Sequence, residues 1–325
     1  MLNRRRLIAS LALAPFVSRS IRSTAAANWP QRPVRIIFPY ASGGTSDAAA
    51  RLVANRLSEV FGQPFVIEAR PGANGIIATE AVARSPADGH TLLWAITPQI
   101  AIAPAMMKVP YDPVTDFAPI SALCLNKFAL VVNTGVPVRT ISEFVDYVRA
   151  QPKGFAYAEG SAGSISHLAM VLLLNRAGLT GTNVSYRGAG PAMSDVIAGH
   201  LPATFALLGD GLAHAESGAI RLVAVASAQR SPDAPDVPTI AESGFAGFEA
   251  MSWWGLMAPA KTPQWVIDRL AAAATDAVKE PRIVAQLANL AVDPLGNSPA
   301  EFATMISSDI QLWAKAVKIA GLSAK

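Results

Sequence analysis

The sequence predicts an α/β protein made of two halves. Short apolar runs typical of strands alternate with amphipathic runs typical of helices, and the alternation occurs in two successive series along the 325 residues. Two further apolar stretches, residues 121–132 and 248–260, connect the series. Because a chain that crosses twice between two units forms a hinge, we expect one domain from residues 28–127 plus 250–325 and another from residues 128–249.

The predicted elements follow the chain in order. The first half contains a strand at 34–38, a helix at 47–61, a strand at 64–68, a helix at 76–84 and a strand at 91–97. The second half contains a strand at 127–133, a helix at 141–150, a strand at 155–158, a helix at 165–176, a strand at 183–186, a helix at 192–199 and strands at 203–208 and 221–226. After the second crossing, residues 263–321 are expected to be helical throughout.

Local signals mark three helix starts. Thr140 and Ser298 are each followed three residues later by a glutamate, which predicts a capping box. Thr262 predicts an N-cap, with Pro263 in the first helical position.

The first 27 residues are predicted to be a secretory signal. They have a basic start, an apolar run over residues 7–17 and a small-residue end. The run is too short for a membrane span, which needs ~20 residues. We therefore expect cleavage after Ala27 and export to the periplasm, by either the Sec or the twin-arginine route.

Charge and cysteine content exclude several kinds of partner. The chain has 27 basic and 23 acidic residues, but five of the basic ones are arginines of the signal, so the remainder is near neutral and gives no indication of binding to nucleic acid or to an anionic membrane surface. Cys124 is the single cysteine, and the four histidines lack metal-ligand spacing. We expect no metal and no cofactor.

The stretch PYASGGTSD, residues 39–47, joins the first strand to the first helix. Backbone N–H groups at such a turn, together with the helix dipole, favour an anion, and glycines let the backbone approach a ligand. The alternative is a turn with a simple helix cap. Asp47 suits the first turn of the helix but could instead bind a ligand amine. The other candidates in this loop are Ser42, Gly43, Gly44, Thr45 and Ser46.

A matching strand, glycine–serine turn and helix occurs in the second half. Ser164 is expected to cap the helix there, with the N–H groups of residues 163–166 facing the same crevice. Because ligands bind outside the carboxyl ends of strands in open α/β sheets, the two turns are expected to meet across a cleft that closes on a small acid. Further loops at this edge contain Gly72, Ala73, Asn74, Tyr186, Arg187 and Gly188.

No catalytic motif of the common hydrolase, metalloprotease or nucleotide-binding kinds occurs. Ser164, Ser166 and His167 are close enough in sequence for a serine hydrolase to be conceivable. A histidine at a helix start that hydrogen-bonds the adjacent loop explains the same residues without catalysis. Asp195 and Asp210 could either cap helices or bind ligand.

The chain resembles the solute receptors of the tripartite tricarboxylate transporter type, also called the Bug family. The resemblance extends from about Trp29 to Leu322 and rests on segments that include WPQRPVRIIFPYASGGTSD, ARSPADGHTLLW, GSAGSISHLA and WWGLMAPAKTP. His90 stands where relatives usually carry tyrosine, which leaves the ligand's identity open. The resemblance implies a two-domain periplasmic binding protein of type II, with a Venus-flytrap closure and no catalysis.

Receptors of this kind bind a small organic acid or amino acid and deliver it to membrane permease subunits. We expect the same of this chain, as a monomer. A receptor that feeds a sensor kinase is the alternative, and a periplasmic serine hydrolase is a third reading. The ligand-binding positions that the resemblance implies are Tyr40, Ser42, Gly43, Gly44, Thr45, Asp47, Gly72, Ala73, Asn74, Gly163, Ser164, His167, Tyr186 and Gly188.

Overall fold

The computed structural model describes residues 29–152, 154–186 and 188–323. The predicted signal and its cleavage after Ala27 lie outside these residues, as does Arg187. The strands are β1 Val34–Phe38, β2 Phe65–Ala69, β3 Thr91–Ile96, β4 Phe117–Asn133, β5 Ala156–Glu159, β6 Thr182–Ser185, β7 Ala203–Leu207, β8 Ile220–Val225, β9 Met251–Pro259 and β10 Asp293–Pro294. The helices are α1 Thr45–Phe61, α2 Ile76–Ala83, α3 Ala103–Met106, α4 Ile141–Arg149, α5 Ile165–Arg176, α6 Ala189–Ile197, α7 Leu208–Glu216, α8 Gln264–Lys279, α9 Pro281–Ala288 and α10 Pro299–Ile319.

The strand β4 organises the large sheet. Its first part, residues 117–127, pairs antiparallel with β9, and the sheet continues through β3 and β1 to β2. Its second part, from Phe128 onward, pairs antiparallel with β7 and β8 instead. The strand therefore changes partners between Lys127 and Phe128. The parallel pair of β5 and β6 forms a separate small sheet.

Separate hydrophobic cores surround the two parts of β4. Ile36, Trp94 and Leu256 belong to the core under α1 and α8, whereas Leu130 and Phe205 belong to the core under α4 and α5. Each core residue named here is at most 5% exposed. Burial of a large apolar side chain contributes roughly 1.5–3 kcal/mol, so both cores stabilise their surroundings substantially.

The helix α10 contacts both groups of elements. Phe302 and Ile306, in its first half, pack with strands β1, β3 and β9. Trp313 and Val317, in its second half, pack into the core around α5 and β7. The helix therefore packs against elements on both sides of the change of partners in β4.

The α/β class is confirmed, and the elements predicted before residue 260 are present within a few residues of their expected bounds, except that the strand expected at 127–133 is the last part of β4, which begins at Phe117. Capping boxes form at Thr140 and Ser298 as predicted. The expected cap of α8 is wrong by one residue, because Pro263 occupies the N-cap position and the Thr262 hydroxyl donates to the Pro259 carbonyl at 2.7 Å.

The prediction that residues 263–321 are helical throughout is also wrong. The short strand β10 interrupts them, because Asp293 and Pro294 pair with the middle of β4. Two further segments are absent from the predicted set, namely a π-helical turn at Pro98–Ile102 that leads into α3, and the helix α7. Among the described residues, none of the helices combines the length and the apolarity needed to cross a membrane.

Candidate ligand-binding cleft

The first loop, which joins β1 to α1, is held in its conformation by the carboxylate of Asp47. Asp47 is 4% exposed, and its Oδ2 accepts hydrogen bonds from the Gly43 N–H and from Arg51 Nε, both at 3.0 Å. Gly43 has a φ of 104°, which a residue with a side chain rarely adopts. The N–H of Gly43 is thus directed at Asp47 rather than into the crevice, and these contacts are those expected of a structural role for Asp47.

The start of α1 lacks a side-chain cap. Gly44 is the N-cap residue and has no side chain that could accept from the first turn. Ser46 accepts a hydrogen bond from Trp94 Nε1 at 3.0 Å, which fixes the first turn to β3. The N–H groups at the start of a helix have no intrahelical partner, so this end of α1 can accept an anion.

The second loop, residues 160–164 between β5 and α5, contacts the buried carboxylate of Glu159. Glu159, at the end of β5, is fully buried, and it accepts hydrogen bonds from Ser164 Oγ at 3.4 Å, from Asn183 Nδ2 at 3.2 Å and from the Ser185 hydroxyl. Ser164 Oγ lies 2.9 Å from Ser166 Oγ. The hydroxyl groups of this loop therefore form a network around Glu159.

Ser164 caps α5, as the sequence predicts, by accepting from the His167 N–H at 3.3 Å. The Nδ1 atom of His167 accepts from the Gly163 N–H at 3.1 Å. Burial lowers the pKa of His167, which agrees with a neutral ring that accepts a hydrogen bond. Within the described residues the ring makes no hydrogen bond to either serine hydroxyl, so the arrangement lacks the contact that a serine nucleophile requires.

The loop between β2 and α2 has an unusual backbone. Gly72, Ala73, Asn74 and Gly75 all have positive φ values, of 136°, 46°, 52° and 89°. Such conformations cost about 1–3 kcal/mol in a residue with a side chain and cluster at ligand sites. The observation supports a functional role for this loop.

The two candidate tyrosines differ in their surroundings. Tyr40 is half-buried, its ring centroid lies 6.4 Å from that of Phe38, and burial raises its pKa to about 12. Tyr186 donates its hydroxyl hydrogen to Asp195, and this bond raises the pKa of Tyr186 to about 12. Gly188 donates its N–H to the Gly160 carbonyl at 2.7 Å and so joins its loop to the second loop.

Three adjoining cavities form a cleft beside the crossing strands. The central cavity, of about 280 Å³, is lined by Asn74, Pro98, Asn126, Phe128, Gly160, Ser161, Ser164, Ile165, Ser166, Gly188, Ala189, Phe205, Ala206, Leu207, Ser252 and Trp254. The α1-side cavity, of about 240 Å³, is lined by Thr45, Asn126, Lys127, Leu207, Gly209, Asp210, Asn289, Leu290 and Ala291. The α6-side cavity, of about 320 Å³, shares Gly160, Ser166, Ala189, Phe205 and Ala206 with the central one.

The cleft brings together some of the predicted site residues. Asn74, Ser164 and Gly188 line the central cavity, and Thr45 lines the α1-side cavity. The remaining candidates do not line the three cavities and stay predictions: Tyr40, Ser42, Gly43, Gly44, Asp47, Gly72, Ala73, Gly163, His167 and Tyr186.

Sequence reasoning missed several lining residues. Asn126, Phe128 and Trp254 lie on the crossing strands β4 and β9, and Phe205 lies on β7. The apolar crossings were recognised in the sequence, but which of their side chains face the cleft depends on strand pairing. Across the described ranges, no group of three or more acidic, histidine or cysteine side chains could hold a metal ion.

A strand shared by two sheet segments, with a cleft beside it, defines the class of this molecule. It is a solute-binding protein of the type II periplasmic fold. More specifically, the chain belongs to the tripartite tricarboxylate transporter family of receptors, whose family model matches residues 49–322.

Three relatives illustrate the match. Protein BugT of Bordetella pertussis strain Tohama I is 32% identical over 326 residues, covering 100% of both chains. The structure of R. palustris Rpa4515 with adipate is 34% identical, has a TM-score of 0.78, and matches over 91% of this chain and 99% of that one. MatC of Rhodopseudomonas palustris with bound malate is 30% identical, has a TM-score of 0.75, and matches over 89% and 100%.

These comparisons decide between receptor and enzyme. The family and the neighbouring structures are ligand-binding proteins, not enzymes. Receptors of this family are periplasmic. The serine hydrolase reading is therefore wrong.

Proposed function

We propose that this chain is an exported receptor that captures a small carboxylated metabolite in the cleft and delivers it to membrane permease subunits of a tripartite transporter. The observation that carries the proposal is the uncapped start of α1, which reaches the cleft through Thr45. N–H groups at a helix start bind a carboxylate without a positively charged side chain. The carboxylates named in the Rpa4515 and MatC structures support the same class of ligand.

The cleft closes, in this proposal, by movement of two lobes about the crossing strands. We assign residues 28–127 plus 250–325 to one lobe and residues 128–249 to the other. The change of pairing partners between Lys127 and Phe128 supports this division. Hinges of this kind absorb the motion in a few residues where elements end or change partners.

Ligand binding is tested by thermal denaturation of the purified protein with small carboxylates, each compared with its amide and its alcohol. At a concentration one hundred times the Kd, a ligand stabilises the folded state by about 2.7 kcal/mol. We expect at least one acid to raise the melting temperature while its amide and alcohol do not. Equal shifts with the acid and its amide, or no shift with any acid, would contradict the proposal.

A further inference from the structure

Asn126 is a buried polar residue without a partner at the junction of two cavities. It is 3% exposed, and its Nδ2 atom makes no hydrogen bond with any residue that the structure describes. It lines both the central cavity and the α1-side cavity. Because a buried donor without an acceptor destabilises a protein, a ligand oxygen that accepted a hydrogen bond from this amide would remove that cost.

The walls of the central cavity beside Asn126 are largely apolar, and their other polar members are Asn74 and four serines, Ser161, Ser164, Ser166 and Ser252. Among the residues that the structure describes, which exclude Arg187 beside Gly188, the lining includes no aspartate, glutamate, lysine, arginine or histidine. The large apolar side chains among them are Phe128, Ile165, Phe205, Leu207 and Trp254. An ionised group placed against such walls would lose hydration, and neutral hydroxyl and amide groups would compensate for that loss less than an opposite charge would.

The α1-side cavity does not offer a free positive charge to a second carboxylate. Its lysine, Lys127, is already paired with Asp293, with 2.6 Å between Nζ and Oδ2, and it also donates to Ser231. Asp210 lines the same cavity, where burial raises the pKa of its carboxyl group, and two ligand carboxylates held in that cavity would repel each other. One carboxylate of a dicarboxylate would therefore lack an oppositely charged partner, whichever of the two cavities held it.

Resting on the receptor function proposed above, we infer that the ligand is a monocarboxylic acid with an uncharged, apolar body, and that Asn126 donates a hydrogen bond to its carboxylate. The carboxylate lies between Thr45 and Asn126, at the start of α1. The apolar body occupies the central cavity and contacts Phe128, Phe205 and Trp254. Burial of that body supplies affinity, and the uncharged walls supply selectivity against diacids.

The selectivity is tested by calorimetric titration of the purified protein with four acids, namely hexanoate, phenylacetate, adipate and malate. We expect at least one of the two monoacids to bind at least tenfold more tightly than both diacids. If adipate or malate binds as tightly as the better monoacid, this inference is overturned while the carboxylate receptor stands. If none of the four binds and no other acid shifts the melting temperature, the proposed function fails as well.

The role of Asn126 is tested with the near-isosteric variants Asn126→Leu and Asn126→Asp. A hydrogen bond to a charged group corresponds to roughly 10- to 100-fold in affinity, so we expect Asn126→Leu to weaken monoacid binding by this factor. Asn126→Asp should weaken it further, because it places a negative charge beside the carboxylate. The matched control is Asn175→Leu, an exposed asparagine at the end of α5 that lines none of the three cavities.

The melting temperature of the ligand-free protein separates binding from a structural role. Removal of an unpartnered buried amide should leave that temperature equal or higher in Asn126→Leu. A variant that melts at a lower temperature or does not fold would show that Asn126 supports the fold, and the inference would be overturned. Unchanged affinity in Asn126→Leu would overturn it equally.

Discussion

At the residue scale, Asp309 on α10 is a carboxylate held in an unfavourable environment. It accepts a hydrogen bond from Trp253 Nε1 at 2.7 Å, and burial raises its pKa to about 6, with a smaller contribution from Glu249. In the unfolded chain an aspartate has a pKa of ~3.9. Between about pH 4 and pH 6 the folded protein therefore binds more protons than the unfolded chain, so the free energy of unfolding falls as the pH rises through this window and is flat above it.

We expect Asp309→Asn to remove this pH dependence. Asparagine keeps an oxygen that accepts from Trp253 but carries no charge, so the free energy of unfolding should increase by about 1–3 kcal/mol at pH 7.5 and little at pH 4. Urea denaturation at several pH values measures the difference. The exposed Asp276→Asn serves as the control and should change little at any pH. An Asp309→Asn effect of the same size at pH 4 and pH 7.5 would contradict the assignment.

A second residue-scale prediction concerns the backbone at Ala73. Its φ of 46° is left-handed, which costs about 1–2 kcal/mol for a residue with a Cβ atom, whereas glycine adopts it freely at the expense of about 0.5–1 kcal/mol of unfolded-state entropy. We expect Ala73→Gly to stabilise the protein by up to about 1 kcal/mol in urea denaturation. In contrast, Ala272→Gly, at an exposed position within α8, should destabilise it by about 1 kcal/mol. Losses of equal size in both variants would show that Ala73 is not strained.

At the element scale, the start of α1 can be tested by removing one backbone donor. Thr45 is the first helical residue, where proline is well tolerated, and the extended backbone of Gly44 suits a residue before proline. Thr45→Pro removes both the N–H and the hydroxyl, whereas Thr45→Val removes the hydroxyl alone. We expect Thr45→Pro to fold normally and to bind the acid roughly 10- to 100-fold more weakly than Thr45→Val, because the N–H contacts a charged group.

Calorimetric titration of both variants with the same acid gives this ratio. Gln264→Pro, in the first position of α8, is the matched control for proline at a helix start and should leave affinity unchanged. If Thr45→Pro and Thr45→Val bind equally well, the backbone N–H of residue 45 does not contact the carboxylate, and the hydroxyl alone accounts for any loss.

The elements also show what the sequence can predict. The strand-to-helix turns at Gly43–Gly44 and the cap at Ser164 follow from local chemistry, since turn glycines and capping serines act within a few residues. A hydrogen bond between His167 and its adjacent loop was anticipated, and Gly163 donates it. The hydrogen bond of Gly43 to Asp47 was not predictable, because residue type does not reveal which N–H groups the loop itself uses. Asn126 was missed for a related reason, since its unpartnered amide depends on contacts between distant strands.

At the scale of the whole molecule, α10 and the crossing strands link the two groups of elements. Trp313 is fully buried in the core around α5, while Phe302 on the same helix is fully buried against β9, with 4.9 Å between its ring centroid and that of Trp253. Because neither the cluster around Phe302 nor the core around α5 can lose α10 without exposing apolar surface, the two groups are expected to unfold together. The hinge proposed for ligand capture must therefore operate while α10 stays in contact with both.

The cooperativity of unfolding tests this coupling. In calorimetry we expect the unaltered protein to unfold in one transition whose calorimetric and van't Hoff enthalpies agree. Truncation of a buried tryptophan costs about 3–5 kcal/mol, so Trp313→Ala should lower the melting temperature by about 6–20 °C, at the 2–4 °C per kcal/mol typical of larger domains. Because the substitution weakens only the contact of α10 with the second core, it should also separate the unfolding into two transitions. Trp265→Ala removes a tryptophan that is 38% exposed, so this control should still unfold in one transition, with a smaller fall in melting temperature. If Trp313→Ala also unfolds in one transition with a small fall, α10 does not couple the two groups of elements.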